Sequence, residues 1–206
     1  MQLLIKKFYN YGPKLVNNKV SNCLIHDNGG DGIFIGEGST GNTVIKTSAY
    51  NNNSDANSAG VNDYQYGAIF FKGANTIIDS CYVYGNRGNG ILSSNRSENG
   101  SGNKGTGQGS IVRNTLVGMD RNGNVSGNGW NGIFIRYSNN VTIENSVIVG
   151  NGKNANSPAK VSGIRYQEVT SGTIQNNFIG TNANKIVAGN DFDGITLFNN
   201  VSNVTI

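Results

Sequence analysis

The sequence predicts an all-β fold, a parallel β-solenoid of about six coils with three short strands in each coil. A three-part phrase recurs six times between Gly- and Asn-rich segments, as expected of a chain that repeats one structural unit. Two repeats also align without a gap for nineteen residues, from Asn114 to Gly132 and from Asn176 to Gly194. Residues 1–206 are therefore expected to form a single β-helical region.

The first part of each repeat is a Gly-Ile phrase, or Ala-Ile in one repeat, that predicts the first strand of the coil. Alternation along a strand directs every second side chain inward. The inward positions are Ile33, Ile69, Ile91, Ile133, Ile164 and Ile195. The residues that follow them are predicted to face outward: Phe34, Phe70, Leu92, Phe134, Arg165 and Thr196.

This outward row is more apolar than a solvated surface requires. Exposed phenylalanine rings can stack on sugar faces, or they can be covered by a partner domain or by the chain's own loops at 51–66 and 93–108. Both alternatives remain open from sequence. The position two residues further along each strand carries Gly36, Lys72, Ser94, Arg136, Gln167 and Phe198.

Three cations accompany the outward rings. Lys72, Arg136 and Arg165 are either solvated surface charges or a shallow positive face beside the aromatic row. The candidate glycan-binding residues are therefore Phe34, Phe70, Phe134, Lys72, Arg136 and Arg165.

The second and third parts of each repeat predict the remaining strands, as in Asn140-Val141-Thr142-Ile143 followed by Val147-Ile148-Val149. A polar column is expected between them. Stacked Asn amides can hydrogen-bond along the solenoid axis, and Asn145 is expected to have a buried amide. The column is predicted to contain Asn22, Thr47, Ser80, Asn114, Asn145 and Asn176.

Composition and charge limit the possible partners. The net charge is +4, but only 14% of residues are charged and the basic residues are scattered singly apart from the pair Lys6-Lys7, so no nucleic-acid partner is expected. No segment is apolar enough to span a bilayer. The sequence ends at Val204-Thr205-Ile206, within a strand phrase, which predicts a chain truncated at least at its C-terminus.

Candidate acid-base and metal-binding residues are few. Asp31 and Asp193 belong to a column before the first strand and fit either turn chemistry or a calcium site. No cofactor is predicted, and calcium is the open alternative. His26 beside Asp27 is either a proton shuttle or a turn residue. Cys23 and Cys81 lie in one column two coils apart, about 9.6 Å at the usual strand spacing, and are expected to be free thiols.

From about Val20 onward, these repeats resemble the right-handed parallel β-helix repeat proteins of the pectate-lyase-like superfamily. The resemblance implies a right-handed coil, an extracellular or cell-surface location and a polysaccharide or surface glycan as partner. The segment from His26 to Gly32 is similar to repeats of mannuronan C5-epimerases. The Asp-Pro-His catalytic motif of those enzymes is absent from the sequence.

Two functions are consistent with the sequence, so it does not decide whether the protein is an enzyme. The first is a non-catalytic secreted or cell-surface module that is adhesive or contacts glycans. The alternative is a fragment of a polysaccharide lyase, C5-epimerase or glycoside hydrolase whose catalytic residues are incomplete here. In a lyase or epimerase, Arg136 or Arg165 would stabilise the enolate, and Tyr166 or His26 would supply the base. The sequence does not indicate which oligomeric state the protein adopts.

Overall fold

A computed structural model describes residues 15–57, 66–94, 107–152, 161–182, 184 and 186–206. Within these ranges the chain forms nineteen short strands and one 3₁₀ helix, Ser54–Asn57. The strands assemble into three parallel sheets, each named here by its first strand.

The strands follow one another from sheet to sheet, so each coil contributes one strand to each sheet. The β1 sheet contains β1 (Lys19–Ser21), β4 (Thr43–Ile45), β7 (Ile77–Asp79), β10 (Ile111–Arg113), β13 (Val141–Glu144), β16 (Gly172–Gln175) and β19 (Val204–Thr205). The β2 sheet contains β2 (Leu24–His26), β5 (Ser48–Tyr50), β8 (Tyr82–Tyr84), β11 (Leu116–Val117), β14 (Val147–Ile148) and β17 (Phe178–Ile179). The β3 sheet contains β3 (Ile33–Ile35), β6 (Gly67–Phe71), β9 (Asn89–Ser94), β12 (Ile133–Arg136), β15 (Ile164–Gln167) and β18 (Ile195–Phe198).

Equivalent phrases pair in register from coil to coil. Ile133 lies beside Ile91 in one neighbouring coil and beside Ile164 in the other, and both pairings are parallel. The predicted parallel solenoid with three strands per coil is therefore confirmed. The isoleucines of the first strand point into a common core that also contains Val44, Ile78, Val83, Val112, Ile143 and Ile148. Burying one such side chain stabilises the fold by roughly 1.5–3 kcal/mol.

An asparagine ladder runs along the turn between the β2 and β3 sheets. In each step, the side-chain amide of one Asn donates a hydrogen bond of 2.8–3.0 Å to the side-chain oxygen of the Asn in the next coil. That oxygen also accepts the backbone N–H of the preceding Asn. The ladder consists of Asn28, Asn52, Asn86, Asn128, Asn151 and Asn190.

The sequence therefore predicted the ladder in the wrong column. Asn145 is exposed with φ of 50°, and Asn114 and Asn176 have φ of 51° and 55°. Their shared property is a left-handed backbone at a turn, which Asn tolerates better than most residues. The column also has Lys46, not Thr47, as the member between Asn22 and Ser80.

The neighbouring column carries the hydroxyl and thiol groups. Thr47 Oγ1 accepts the backbone N–H of Cys23, and Thr115 Oγ1 accepts that of Cys81. Both cysteines are free, as predicted. Burial raises the pKa of the Cys81 thiol to about 11, so this cysteine remains a small protonated core residue.

Two matching arms project where the nineteen-residue repeats align. Residues 118–127 and 180–189 each form a short antiparallel bridge, Met119 with Val125 and Thr181 with Val187. The first arm packs closely on the next coil, because a Cβ at Gly118 would overlap the carbonyl oxygen of Val149. The sequence alignment of these two repeats therefore reflects equivalent backbone structure.

The ladder predicts different responses to the same substitution at two asparagines. Asn128→Asp removes the donors to Val83 O and Asn151 Oδ1, so the free energy of unfolding should fall by roughly 1–3 kcal/mol or more. Asn145→Asp is the matched control at an exposed turn position, and it should change stability by less than about 0.5 kcal/mol. Urea unfolding at neutral pH measures both values, and equal losses would contradict the ladder assignment.

Candidate functional site

The outer face of the β3 sheet brings together the predicted glycan-binding residues. Phe34 lies beside Phe70, Phe134 lies beside Arg165, and Leu92 connects the two groups. This apolar row forms a cluster separate from the solenoid core. The row therefore lies on the outer face, as strand alternation predicts.

Of the two alternatives for the outward rings, coverage applies to two of them. Phe134 is completely buried, Phe70 is 7% exposed, and Phe34 is half-buried. Outward side chains in adjacent coils are only about 4.8 Å apart, so neighbouring rings touch. Much of the two loops expected as possible cover, at 58–65 and 95–106, lies outside the described residues. Phe34 and Phe70 meet edge to face, with their ring centroids 5.2 Å apart. Glycan binding by these phenylalanines remains a prediction.

Two of the three cations, Lys72 and Arg165, lie against aromatic rings of this face. Lys72 Nζ is 5.9 Å from the ring centroid of Phe34 and 5.5 Å from that of Phe70. The Arg165 guanidinium lies 5.1 Å from the ring of Phe134 and 4.9 Å from that of Phe198. These are cation–π distances, and they place positive charge on an apolar surface.

Arg136 is the third cation of this face, and it lies beside Gln167 of the next coil. Its Nη2 donates a 3.2 Å hydrogen bond to the Tyr137 hydroxyl, while its guanidinium lies 4.7 Å from the Tyr137 ring. Arg165 Nη2 donates to Gln167 Oε1 at 3.2 Å. Both arginines are 8% exposed, whereas Lys72 is half-buried and Phe198 is 44% exposed. Lys72 is therefore the more accessible cation of this face, whereas Phe198 lies on β18 at the edge of the sheet, where the inward Leu197 is 46% exposed as well.

His26 lies on a different sheet from these cations. Its Nδ1 is 2.6 Å from Asp27 Oδ2, and its ring stacks on Tyr50 with centroids 4.7 Å apart. Tyr50 in turn stacks on Tyr84 at 5.1 Å. This aromatic stack was not predicted from the sequence, although the three planar side chains of His26, Tyr50 and Tyr84 at equivalent positions could have indicated it.

Tyr166 is not positioned to act as a surface base. Its hydroxyl donates a 3.0 Å hydrogen bond to the Val141 carbonyl inside the core, and burial raises its pKa far above the ordinary value. The expectation that Tyr166 supplies the base for an external substrate is therefore wrong. Its burial follows from alternation, because Tyr166 occupies the inward row that contains Ile35 and Phe71.

The acidic column before the first strand makes turn contacts. Asp31 Oδ1 accepts the Gly67 N–H at 3.0 Å, and Asp193 Oδ2 accepts the Thr196 hydroxyl at 2.8 Å. Within the described ranges, no group of three or more His, Cys, Asp or Glu side chains could hold a metal ion. The calcium alternative is therefore not supported by a described ligand cluster.

Asp79 accepts hydrogen bonds from three side chains on the β1 sheet. Burial opposes its ionisation, but hydrogen bonds from Asn114, Ser80 and Arg113 outweigh that effect and lower its pKa. Arg113 Nε lies 2.9 Å from Asp79 Oδ2, so this arginine is bound at another sheet. Such a stabilised carboxylate is suited to holding the sheet together rather than to donating a proton.

The chain belongs to the right-handed β-helix family, whose model matches residues 8–154 and is described as a right-handed β-helix region. The predicted hand is thus confirmed. The chain is similar to the A-module of the mannuronan C-5 epimerase AlgE6 from Azotobacter vinelandii, at 18% identity and a TM-score of 0.47. The match covers 92% of this chain and 56% of that module. No curated protein sequence matches the chain. Across the described ranges, no helix has the length and hydropathy needed to cross a membrane.

The buried rings predict a stability effect that an exposed ring should not produce. Phe134→Ala should lower the free energy of unfolding by roughly 3–5 kcal/mol, because it leaves a cavity beneath Arg165. Phe198→Ala removes a half-exposed ring from the same guanidinium and should cost less than about 1 kcal/mol. Urea unfolding compares the two variants. Similar losses would show that Phe134 is not a buried anchor.

The Asp79 network predicts a loss of stability in acid. A carboxyl whose pKa is lower in the folded state stabilises the protein above its ordinary pKa, about 3.9, and that contribution disappears as the pH falls through the folded value. The decline in unfolding free energy below about pH 4 should therefore be smaller in Asp79→Asn than in the wild type. Glu37→Gln controls for the loss of one negative charge at an exposed position. An unchanged acid decline in Asp79→Asn would contradict this assignment.

Proposed function

We propose that this protein is a non-catalytic β-helix module, secreted or at the cell surface, that contacts anionic glycans through the outer face of its β3 sheet. The observation that carries the proposal is the cation–aromatic strip formed by Phe34, Phe70, Lys72, Phe134, Arg136, Arg165 and Phe198. This set includes all the predicted binding residues and adds Phe198, whose ring lies 4.9 Å from the Arg165 guanidinium.

The arrangement of the cations favours an extended ligand. Lys72 and Arg136 occupy one row two coils apart, which is about 9.6 Å along the solenoid. Arg165 lies one coil beyond Arg136 in the adjacent row. A linear polyanion aligned with the axis could meet these groups in succession, whereas a small anion could contact only part of the strip.

The rings beneath the cations support binding in two ways. They place positive charge beside apolar groups, where its attraction to a carboxylate is less weakened by water. Arginine held against an aromatic ring also retains N–H donors around its edge for carboxylate recognition. Phe34, which is half-buried, offers the accessible ring of the predicted set for contact with a sugar face.

The composition of the strip favours binding without turnover. Neither row of the outer face has a carboxylate or histidine among its members, although proton abstraction from a sugar requires a positioned base. His26, with its Asp27 partner, belongs to the β2 sheet instead. The proposal therefore assigns the strip to recognition. Phe70 and Phe134 support the cations from below.

Calorimetric titration with anionic and neutral oligosaccharides of equal length tests the proposal. The wild type should bind the oligouronate and not the neutral oligosaccharide, and the affinity should fall as salt is raised. Lys72→Gln should weaken oligouronate binding about 2–5-fold, the effect expected for an exposed ion pair. Lys19→Gln, an exposed lysine on the β1 sheet, should bind like the wild type.

Three results would contradict the proposal. Failure of the wild type to bind the oligouronate, or equal binding of the neutral oligosaccharide, would remove the anionic-glycan assignment. Equal weakening by Lys72→Gln and Lys19→Gln would indicate a general charge effect. Formation of a shortened, unsaturated or epimerised product during incubation would show that the protein is catalytic.

A further inference from the structure

Asparagine followed by glycine occurs repeatedly in this Asn- and Gly-rich chain. Asn is chemically labile, and a following Gly has no Cβ to hinder attack by its backbone nitrogen on the Asn side chain. In the described residues, the asparagines followed by glycine are Asn28, Asn89, Asn122, Asn128, Asn131 and Asn151. The structure places five of these pairs in coil-to-coil hydrogen bonds and one on a projecting arm.

The three pairs in the asparagine ladder have fixed side-chain amides. Asn28 and Asn128 each donate a 2.8 Å bond to the next ladder Asn, and Asn151 donates at 3.0 Å. The following glycines add protection in two cases. The Gly129 N–H donates to Asn86 O, and the Gly152 N–H donates to Asn128 O. Attack on these Asn side chains would require the ladder to open.

The two pairs at the start of β3-sheet strands are also held. Asn89 Nδ2 donates to Tyr66 O at 2.9 Å, and Asn131 Nδ2 donates to Asn89 Oδ1 at 3.0 Å. Both asparagines are completely buried. The glycine N–H groups that follow them, at Gly90 and Gly132, are bonded to the adjacent coil.

Asn122 differs because it lies on the exposed arm formed by residues 118–127. Its backbone N–H donates to Asp120 Oδ1 at 2.8 Å, while its side chain is exposed. The Gly123 N–H makes a longer bond, 3.2 Å, to Asp120 O within the same turn. A Cβ at Gly123 would meet no atom within 4 Å, so the surroundings leave room for the ring that the reaction forms.

We infer that Asn122 is a site of spontaneous conversion to aspartate and isoaspartate in the folded protein. The Gly123 backbone nitrogen attacks the Asn122 Cγ, a C–N bond forms, and the side-chain nitrogen leaves as ammonia. Water then opens the resulting succinimide at either carbonyl. The overall reaction consumes one water, releases one ammonia and requires no oxidant or other co-reactant.

The conversion changes the charge and shape of the arm. A carboxylate replaces a neutral amide two residues from Asp120, and the formal net charge falls from +4 by one unit. Isoaspartate also adds a methylene to the backbone within the Asp120–Gly123 turn. Because Arg121 lies 5.6 Å from the Tyr82 ring, the altered turn adjoins the outer face of the β2 sheet.

The second arm provides an internal control. Asn184 occupies the equivalent position, and its N–H donates to Asn182 Oδ1 just as Asn122 donates to Asp120. Asn184 is also exposed. In the sequence it is followed by Lys185 instead of Gly. The two arms thus separate the effect of the following residue from that of exposure.

The test incubates the full chain at mildly alkaline pH and follows each Asn by peptide mapping with mass spectrometry. Conversion should accumulate at Asn122 and should be slower at Asn128, Asn151 and Asn184. Isoelectric focusing should show an acidic band for the wild type. In Asn122→Gln, the acidic band should lose the fraction of protein that arises from conversion at Asn122. Asn99, which precedes Gly100 outside the described residues, is scored separately on the map.

A gain-of-reactivity variant completes the test. Lys185→Gly should raise the conversion rate of Asn184 to that of Asn122, because it supplies the same unhindered nitrogen in the second arm. Conversion of Asn128 as fast as Asn122 would overturn protection by the ladder. Absence of conversion at Asn122, while an unfolded peptide spanning 119–125 reacts, would overturn the proposed site.

Discussion

The in-register hydrogen bonding between successive coils is the constraint on which this structure depends. Each short strand is too small to be stable alone, but parallel pairing on both sides fixes its backbone and aligns equivalent side chains. The asparagine ladder applies the same constraint at a turn, where strand pairing is interrupted. Asn128 illustrates the linkage because its amide contacts the backbone of one neighbouring coil and the side chain of the other.

The same spacing determines the properties of the outer face. Side chains that point away from the core still lie one strand spacing from their equivalents, so the large residues of a row pack against one another. Phe70, Leu92 and Phe134 consequently form a second apolar cluster outside the solenoid interior. Lys72 and Arg165 lie over that cluster, which makes the surface cationic while its base remains hydrophobic.

Sequence alternation predicted the strands and the side of the sheet on which each candidate residue lies. It did not predict the burial of Phe134, which depends on contacts made between coils rather than on position within one strand. It also misplaced the ladder, because an arm separates β11 from Asn128 whereas Asn86 follows β8 after one intervening residue. The burial of Tyr166 was predictable from sequence, because alternation from the inward Ile164 places the Tyr166 side chain in the core.

The hydrogen bonds of the ladder also share one direction along the solenoid axis. In each of the five rung-to-rung hydrogen bonds, the earlier coil supplies the side-chain donor and the later coil the side-chain acceptor, so these bonds all point the same way along the axis. At the last rung, Asn190 donates back to Ile148 O while its oxygen is occupied by Asn151. The direction of the ladder therefore follows the direction of the chain through the coils. Only head-to-tail continuation, with the same chain direction in every coil, would match donor to acceptor across a junction.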